Sequence, residues 1–370
     1  MPEVKGVTAH EVIKNTIEYV NKNGTDRIVW GGTIPEVIGD PASPNDYERR
    51  MIEMDNPITI VLSDPYKNWC DISDHWVGIT LRETEDHLQA YNPGYVIKYS
   101  KLYRQWLEDR YFNYTYGERF LRYPYNLEQL SGKHKNVGWD INQIEKIIKL
   151  LREHPTSRKA CISTWYPPTD LGNNYCPCNA FFQIREQDGL LTWTTVIRSL
   201  DVLRGLTENI FMFTLWQQYI ANRLNMDVGA YKTVALNAHL YSTMVSSGYH
   251  RQILPDPYEH YDKQNIFETP FPSDEFNAID NLLFADMNAT NSDKILRKCL
   301  KLPTYWCNWK LSLVSDWYRR CGHIDKSMEI LENVNNEFMF SVARRIKHGD
   351  VLDMLPFTKQ REYLKKNWEI

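Results

Sequence analysis

Two short segments of this 370-residue chain carry the side chains best suited to covalent chemistry. They are Tyr175-Cys176-Pro177-Cys178-Asn179 and Arg198-Ser199-Leu200-Asp201. The thiolate form of cysteine is the nucleophile, and a nearby guanidinium favours that form over the thiol. Arg198 beside Cys178 would also bind a phosphate or carboxylate group of a ligand. The pair therefore predicts a nucleophilic cysteine next to an anion-binding arginine, provided that the fold brings them together.

The chain between the two segments predicts a β-hairpin. Two runs rich in apolar, β-branched and aromatic residues, 180–186 and 190–197, flank Gln187-Asp188-Gly189, a strong turn signal. Folding at this turn sets Cys178 opposite Arg198 or Ser199, and facing side chains in such a pair lie about 5 Å apart at Cβ. The alternative is a buried structural cysteine, because free cysteine often behaves as a small hydrophobe.

The composition narrows the class of protein. Hydrophobic residues make up 42% of the chain and charged residues 24%, as in ordinary globular proteins, and the net charge of −4 argues against nucleic acid as the main partner. The seven cysteines show no disulfide spacing, and we find neither an apolar leader nor a membrane-spanning run. Cys176 and Cys178 lack a second cysteine or histidine pair at zinc-site spacing. We therefore expect a cytoplasmic protein with reduced thiols, no metal and no membrane partner.

Hydrophobic periodicity predicts the elements that must position these residues. Helices are predicted over residues 9–22, 73–90, 101–109, 141–153 and 207–225, with Thr207 as the N-cap of the last. Strands are predicted over 56–62, 159–166 and 231–241, and helices again from 273 onward, with breaks at Pro303 and Pro356. The helix at 207–225 is apolar nearly all round, so we expect it to be buried. The pattern predicts an α+β fold: a largely antiparallel or mixed sheet packed by helices, with a helical C-terminal extension.

Several motifs, taken in order and spacing, resemble the thymidylate synthase family. They are Tyr114-Thr115-Tyr116-Gly117, Pro155-Thr156-Ser157-Arg158-Lys159, Ser163-Thr164-Trp165, Pro177-Cys178-Asn179, Arg198-Ser199-Leu200-Asp201, Gly205-Leu206-Thr207-Glu208-Asn209 and Ala238-His239-Leu240-Tyr241-Ser242. The resemblance is close from about residue 110 to 244. It implies a catalytic domain over 1–250, with 251–370 as the helical extension packed on it.

The resemblance also implies a reaction and its catalytic residues. A one-carbon unit would pass from 5,10-methylenetetrahydrofolate, as co-substrate, to C5 of dUMP, giving dTMP. Cys178 would add to C6 of the pyrimidine, with Asn179 next to it in the catalytic motif, and Tyr116 would assist removal of the C5 proton. Glu83 is the expected general acid/base on an early helix, and Glu85 is its competitor.

Binding roles are implied in the same way. Arg198 and Ser199 would bind the 5′-phosphate, and Arg158 and Lys159 would reach the partner's phosphate across a two-fold axis, which implies a homodimer with shared active sites. The remaining residues would bind either the nucleotide or the folate. Arg27 would bind the phosphate, Asn209 the base, and His239 and Tyr241 the sugar hydroxyl. Asp201 and Trp106 would bind the folate. The Asn209 carboxamide can accept from N3–H and donate to O4, which favours uracil over cytosine.

Three departures from the family pattern leave alternatives open. Asn179 stands where histidine is usual, Asn237 where aspartate is usual, and residues 245–370 extend beyond the family's normal end. If the site closes differently, water could replace hydride, which would make the protein a deoxyuridylate or deoxycytidylate hydroxymethyltransferase. A nucleotide-binding protein without catalysis is a second alternative. A cysteine hydrolase is a third, and it requires His239 within hydrogen-bond reach of Cys178.

Overall fold

The fold is known from a computed structural model of the chain. The structure describes residues 1–30, 48–70, 77–89, 99, 107–108, 111–112, 114–123, 141–173, 176–242, 245, 267 and 271–335. Trp106 and Pro356 lie outside the described residues. The division of the chain at residue 250 stays a prediction.

Strands and helices are numbered here in chain order. The described strands are β1 (Glu3–Gly6), β2 (Thr25–Trp30), β3 (Glu48–Glu53), β4 (Ile58–Leu62), β5 (Leu107–Glu108), β6 (Tyr111–Phe112), β7 (Cys161–Ser163), β8 (Asn179–Gln187), β9 (Leu190–Ile197), β10 (Leu200–Asp201), β11 (Asp227–Ala235) and β12 (Ala238–Tyr241). The described helices are α1 (Ala9–Asn23), α2 (Val77–Leu88), α3 (Tyr116–Leu121), α4 (Gln143–Glu153), α5 (Pro167–Asp170), α6 (Gly205–Leu224), α7 (Ser273–Ala285), α8 (Ser292–Cys299), α9 (Thr304–Arg320) and α10 (Ile324–Leu331).

The strands form mixed sheets, which confirms the α+β prediction. The larger sheet has six strands in the order β1-β4-β11-β9-β8-β7, in which β9 pairs with β8 antiparallel and with β11 parallel. A four-stranded sheet has the order β10-β12-β3-β2. Because β9 and β10 follow each other in the chain but belong to different sheets, Arg198 and Ser199 lie at the junction between the two sheets.

The main core lies between one face of the six-stranded sheet and α6. Alternate side chains of the strands point inward, and Phe182, Ile184 and Trp193 have no exposed surface. The expectation that α6 is buried is confirmed, since Ile210 and Phe213 are also fully buried. This packing holds in place the start of β8 and the end of β9, where the Cys178 and Arg198 segments lie.

A second apolar cluster joins the C-terminal helices to α6. Trp306 of α9 and Phe276 of α7 are fully buried in it, together with Phe211 of α6. Trp309 stacks on Phe211 with ring centroids 5.5 Å apart. The C-terminal helices therefore contribute to the same body of packed side chains as the helix that carries Asn209.

Four predictions about the elements were wrong in detail. Within the predicted helix 101–109, Leu107–Glu108 pairs as a short strand with Tyr111–Phe112. The predicted strand 231–241 is two strands in different sheets, because residues 236–237 are not in strand conformation and separate β11 from β12. The predicted strand 159–166 shortens to β7. Thr207 is not an N-cap: α6 begins two residues earlier, after Arg204, and Asn225 ends the helix in a left-handed conformation.

The other predicted elements agree with the structure where it describes them. The Thr8 side chain caps α1, and Gly24 follows its last residue. Pro303 separates α8 from α9. Among the described helices, none combines the length and apolar character needed to cross a bilayer.

Candidate active site

The hairpin places Cys178 directly opposite Arg198. Asn179 pairs with Ile197 in the antiparallel ladder, and the next backbone N–H, that of Arg198, donates to the Cys178 carbonyl at 2.9 Å. Asp188 and Gly189 form the turn with φ values of 54° and 82°, the left-handed pair that a tight hairpin requires. The predicted register is therefore confirmed.

The Arg198 guanidinium lies against both thiols of the Cys176-Pro177-Cys178 segment. Its Nη2 is 3.6 Å from the Cys178 Sγ and 3.3 Å from the Cys176 Sγ. The side chain is held there by donation from Nε to the Pro177 carbonyl at 3.0 Å and from Nη2 to the Cys176 carbonyl at 3.2 Å. Backbone acceptors thus fix the arginine beside the nucleophile.

Burial nevertheless outweighs the arginine in setting the state of this thiol. The pKa of Cys178 is raised above its usual value, because desolvation disfavours the thiolate more than Arg198 favours it, and Cys176 and Asp201 add to the rise. Arg198 favours the thiolate, as expected from the sequence, but its effect is smaller than that of desolvation. The thiol is neutral at physiological pH until something further favours its ionisation.

Tyr116, Asn179 and Asn209 form a buried hydrogen-bonded chain next to the thiol. The Asn179 backbone N and Nδ2 both donate to the Tyr116 hydroxyl, at 3.1 and 2.8 Å, and Nδ2 also donates to Asn209 Oδ1 at 3.1 Å. Burial and the neighbouring Cys178 raise the pKa of Tyr116 well above its usual value, so its phenol stays protonated. The unusual Asn179 is therefore an organising residue: it links α3 to the first turn of α6.

A second chain of contacts connects His239 to Arg27. The His239 Nδ1 lies 3.0 Å from Asn237 Oδ1, and Asn237 Nδ2 donates to Glu53 at 2.9 Å. Glu53 in turn lies 3.6 Å from the Arg27 guanidinium, which also pairs with Asp55. Burial lowers the pKa of His239, against the effect of nearby carboxylates, so the imidazole is neutral.

This arrangement does not support a cysteine hydrolase. Within the described residues His239 makes no hydrogen bond to Cys178, whose polar side-chain contact is with Arg198. His239 and Tyr241 alternate along β12 with ring centroids 5.5 Å apart, on the same side of the strand as the sequence predicts.

The two competing glutamates of α2 lie in different surroundings. Glu83 Oε1 is 3.4 Å from His87 Nε2, and His87 Nδ1 accepts from the Gly117 backbone at 3.0 Å. Because Nδ1 is an acceptor, the ring N–H is at Nε2, the atom that faces Glu83. Glu85 instead is fully buried against Lys310, with 2.9 Å between Oε1 and Nζ.

Glu208, one residue before Asn209, is a site residue that the sequence did not single out. Burial raises its pKa well above the usual range, and the Glu83 carboxylate adds to the rise, while Arg204 opposes it. The effect of the Glu83 carboxylate on Glu208 indicates that α2 and the start of α6 bring these two carboxyl groups near each other. The position next to Asn209 was the available signal, but a first-turn glutamate is common on helices.

The remaining predicted residues surround this centre at different depths. Asp201 Oδ1 accepts from the backbone of Leu203 and Arg204, at 3.0 and 3.2 Å, while its buried Oδ2 has no hydrogen bond among the described residues. Ser199 is half-buried beside Arg198. Arg158 and Lys159 lie on an exposed turn before β7. In the part of the chain that the structure describes, no group of three or more His, Cys, Asp or Glu side chains is arranged so that it could hold a metal ion.

Comparison with known proteins agrees with this geometry. The thymidylate synthase family model matches residues 81–291, more than half of the chain. A "Putative thymidylate synthase" of Methanosarcina acetivorans is 31% identical over 184 residues, which is 50% of this chain and 71% of the relative. A "Thymidylate synthase" of Listeria monocytogenes is 30% identical over 190 residues, again 50% of this chain and 56% of the relative.

The family match contains Cys178, Arg198, Tyr116 and Asn209, so the residues assembled around the thiol all lie inside the region that the family shares. It also extends to α2 and α7, beyond the range in which the motifs alone are close. The chain belongs to the thymidylate synthase family, a family of methyltransferases.

Proposed function

We propose that this protein transfers a one-carbon unit from 5,10-methylenetetrahydrofolate to C5 of dUMP, giving dTMP. The observation that carries the proposal is the Cys178 thiol held 3.6 Å from the Arg198 guanidinium, beside the buried chain from Tyr116 through Asn179 to Asn209. A nucleophile, an anion-binding group and a carboxamide for a pyrimidine edge occur together at one sheet edge. That combination suits a pyrimidine mononucleotide.

In the proposed reaction Cys178 attacks C6 of the pyrimidine, and C5 becomes the nucleophile toward the one-carbon unit. The thiol is neutral beforehand because desolvation raises its pKa, so attack requires its proton to pass to water, which reaches the half-buried Cys178. Tyr116 then assists removal of the C5 proton, and Glu83, beside His87, is the general acid/base. The folate supplies the one-carbon unit and the hydride that completes a methyl group.

The proposed nucleotide-binding roles depend on which hydrogen-bonding groups of each side chain remain available to a ligand. Arg198 uses Nε and Nη2 on backbone carbonyls, and its Nη1, with no hydrogen bond among the described residues, is available to the 5′-phosphate with Ser199. Asn209 presents its carboxamide to uracil, with Asn179 holding its orientation. His239 and Tyr241 serve the sugar hydroxyl. Arg27 is the weakest of these assignments, because it is already paired with two carboxylates.

The Asp201 carboxylate fits the proposed folate site. Its buried Oδ2 lacks a hydrogen bond within the described residues, and an acceptor in that state is suited to the ring N–H groups of a pterin. Asp201 is therefore the folate-binding residue that the structure supports, and Trp106 stays a prediction outside the described residues.

A homodimer with shared active sites is part of the proposal. The face of the six-stranded sheet turned away from α6 presents cross-strand pairs such as Phe181 with Val196, and Phe181 is 40% exposed. Arg158 and Lys159 lie on the turn that leads into the edge strand β7, with side chains that make no hydrogen bond or ion pair among the described residues. Both features suit a partner subunit. The free state of all seven cysteines supports a reducing, cytoplasmic location.

Product analysis tests the reaction. We expect incubation with dUMP and methylenetetrahydrofolate labelled in the one-carbon unit to give dTMP and dihydrofolate. Formation of 5-hydroxymethyl-dUMP and tetrahydrofolate would instead identify the hydroxymethyltransferase, and a preference for dCMP would identify its cytidine counterpart. The absence of any labelled nucleotide would leave a binding protein without catalysis.

Trapping with 5-fluoro-dUMP tests the nucleophile. We expect a covalent complex with nucleotide and folate that survives denaturation, and its loss in Cys178→Ala. The matched control is Cys161→Ala, which removes another half-buried thiol from the same sheet without touching Arg198. Adduct formation by the Cys178 variant would contradict the assignment, and so would its loss in the Cys161 variant alone.

A further inference from the structure

A cluster of buried charges joins α2 to the C-terminal helices. Arg82 of α2 lies 2.6 Å from Asp280 of α7 and 2.6 Å from Asp86 of its own helix. Lys310 of α9 lies 2.6 Å from Asp280 and 2.9 Å from Glu85. The side chains are between 0 and 5% exposed, so the contacts are screened very little by solvent.

Stability alone is a weak reason for such a cluster. Removing charges from water costs several kcal/mol per ion, and well-packed apolar side chains of similar size are often equally or more stable. What a buried ionic cluster supplies is one required geometry, since each misplaced charge is left unpaired. Here that geometry fixes the rotation and depth of α2 against α7 and α9.

A different face of α2 carries the active-site residues. Successive residues of a helix are rotated by about 100°, so Arg82, Glu85 and Asp86 share one face, and Glu83 and His87 share a face about 120° away. The Glu83 face is tied to the centre through the contact of His87 with the Gly117 backbone, next to Tyr116. A change in the rotation of α2 would therefore move Glu83 relative to the thiol and to Asn209.

We infer that Lys310 and Asp280, from the C-terminal helices, are positioning residues that hold α2 so that Glu83 meets the substrate. The inference rests on the proposed function, because it takes Glu83 as the general acid/base. It gives the C-terminal helices a role in catalysis that involves no contact with nucleotide or folate. Displacement of a catalytic group by about 1 Å can lower a rate about a hundredfold.

A double-mutant cycle tests this inference. We expect Lys310→Met to lower kcat for dUMP by about tenfold or more while KM changes less than about twofold, because the nucleotide contacts lie on other elements. In a Glu83→Gln background, Lys310→Met should lower the remaining rate less than about twofold, since the group it positions is already gone. Release of tritium from [5-³H]dUMP in single turnovers gives the sensitivity needed for the slow variants.

Two further variants keep the test independent of folding. Asp280→Asn retains the shape of the side chain and should show a smaller loss with the same dependence on Glu83. The matched control is Arg319→Met, because Arg319 is also a buried cation of α9 but pairs with Asp316 of the same helix at 2.9 Å. We expect it to lower the melting temperature as Lys310→Met does, with kcat changed less than about twofold at a temperature where both variants are folded.

The outcomes separate the inference from the proposed function. The positioning role would be overturned if Lys310→Met lowered kcat by the same factor in the wild-type and Glu83→Gln backgrounds. It would also be overturned if Arg319→Met lowered kcat as much as Lys310→Met does. Neither result would contradict the proposed reaction. Full activity of Glu83→Gln would overturn the general acid/base assignment, and the inference with it. A wild-type protein that forms neither methyl nor hydroxymethyl product would overturn the proposed function itself.

Discussion

The charge balance of the buried cluster leads to a prediction about pH and stability. Arg82 and Lys310 supply two cations, whereas Glu85, Asp86 and Asp280 supply three carboxyl groups, so the cluster is neutral when one carboxyl keeps its proton. Burial raises the pKa of Glu85 from 4.5 to about 7, against the opposing effect of Arg82 and Lys310. The pKa of Asp280 is lowered, because the same two cations overcome its burial. Glu85 is thus the group that holds the proton.

The free energy of unfolding falls as the pH rises, because the folded protein holds the Glu85 proton up to a higher pH than the unfolded chain does. Between pH 4.5 and 7 the folded protein keeps the Glu85 proton and the unfolded chain has lost it, so the stabilisation is complete below 4.5 and is lost as the pH rises through 7. With 1.36 kcal/mol per pKa unit, the free energy of unfolding should fall by about 2–3 kcal/mol between pH 5 and pH 8 through this group alone. Glu85→Gln removes the titratable carboxyl group and with it this dependence of stability on pH.

Urea unfolding at pH 5 and pH 8 measures the effect. We expect the stability of Glu85→Gln relative to wild type to improve by about 2–3 kcal/mol from the lower to the higher pH. The control is Glu145→Gln, which removes a surface carboxylate paired with Arg223 at 2.8 Å and should keep a constant difference from wild type. A constant difference for Glu85→Gln would refute the reasoning, because it would mean that Glu85 is ionised in the folded protein throughout.

Three other predictions concern the site itself. Asn209→Asp should lower kcat/KM for dUMP by about 100-fold or more and improve it for dCMP, because a carboxylate cannot donate to O4; an unchanged ratio of the two substrates would contradict the assignment. Arg198→Met removes the group that lowers the Cys178 pKa, so the pH profile of iodoacetamide alkylation at Cys178 should move to higher pH, and an unmoved profile would exclude that role. Gly117→Ala would place a Cβ in steric conflict with the His87 carbonyl oxygen and should cost about 1–3 kcal/mol of stability, so an unchanged melting temperature would show that the backbone relaxes freely there.

The parts of the site that depend on local sequence could be predicted. The turn at Asp188-Gly189 fixes the register of both strands as far as Phe181 opposite Val196, which brings Cys178 to within one residue of Arg198 and Ser199, and a one-residue irregularity between Asn179 and Phe181 then selects Arg198. The placement of His239 and Tyr241 on one side follows from the alternation of a strand. In each case the cause lies within a few residues of the effect.

The surroundings of Glu83 and Glu85 could not be predicted in that way. Both fit the expected spacing on an early helix, and what separates them is the rotation of α2 against partners far along the chain. Lys310 lies 225 residues from Glu85, and Asp280 lies 198 residues from Arg82. Helical periodicity locates a face but does not name what packs on it, so long-range ion pairs of this kind have no signal in a single sequence.

The Cys178 thiol shows how burial changes a conclusion drawn from residue types. Arginine beside cysteine favours the thiolate, and the structure has that contact at 3.6 Å, yet the pKa of the thiol is raised because desolvation dominates. A thiol kept neutral in this way is a poor target for oxidants and alkylating reagents before substrate arrives. In the proposed reaction, activation therefore accompanies substrate binding. A half-buried, neutral thiol next to a fixed cation then gives selectivity, since only a ligand that enters the site offers C6 to the sulfur.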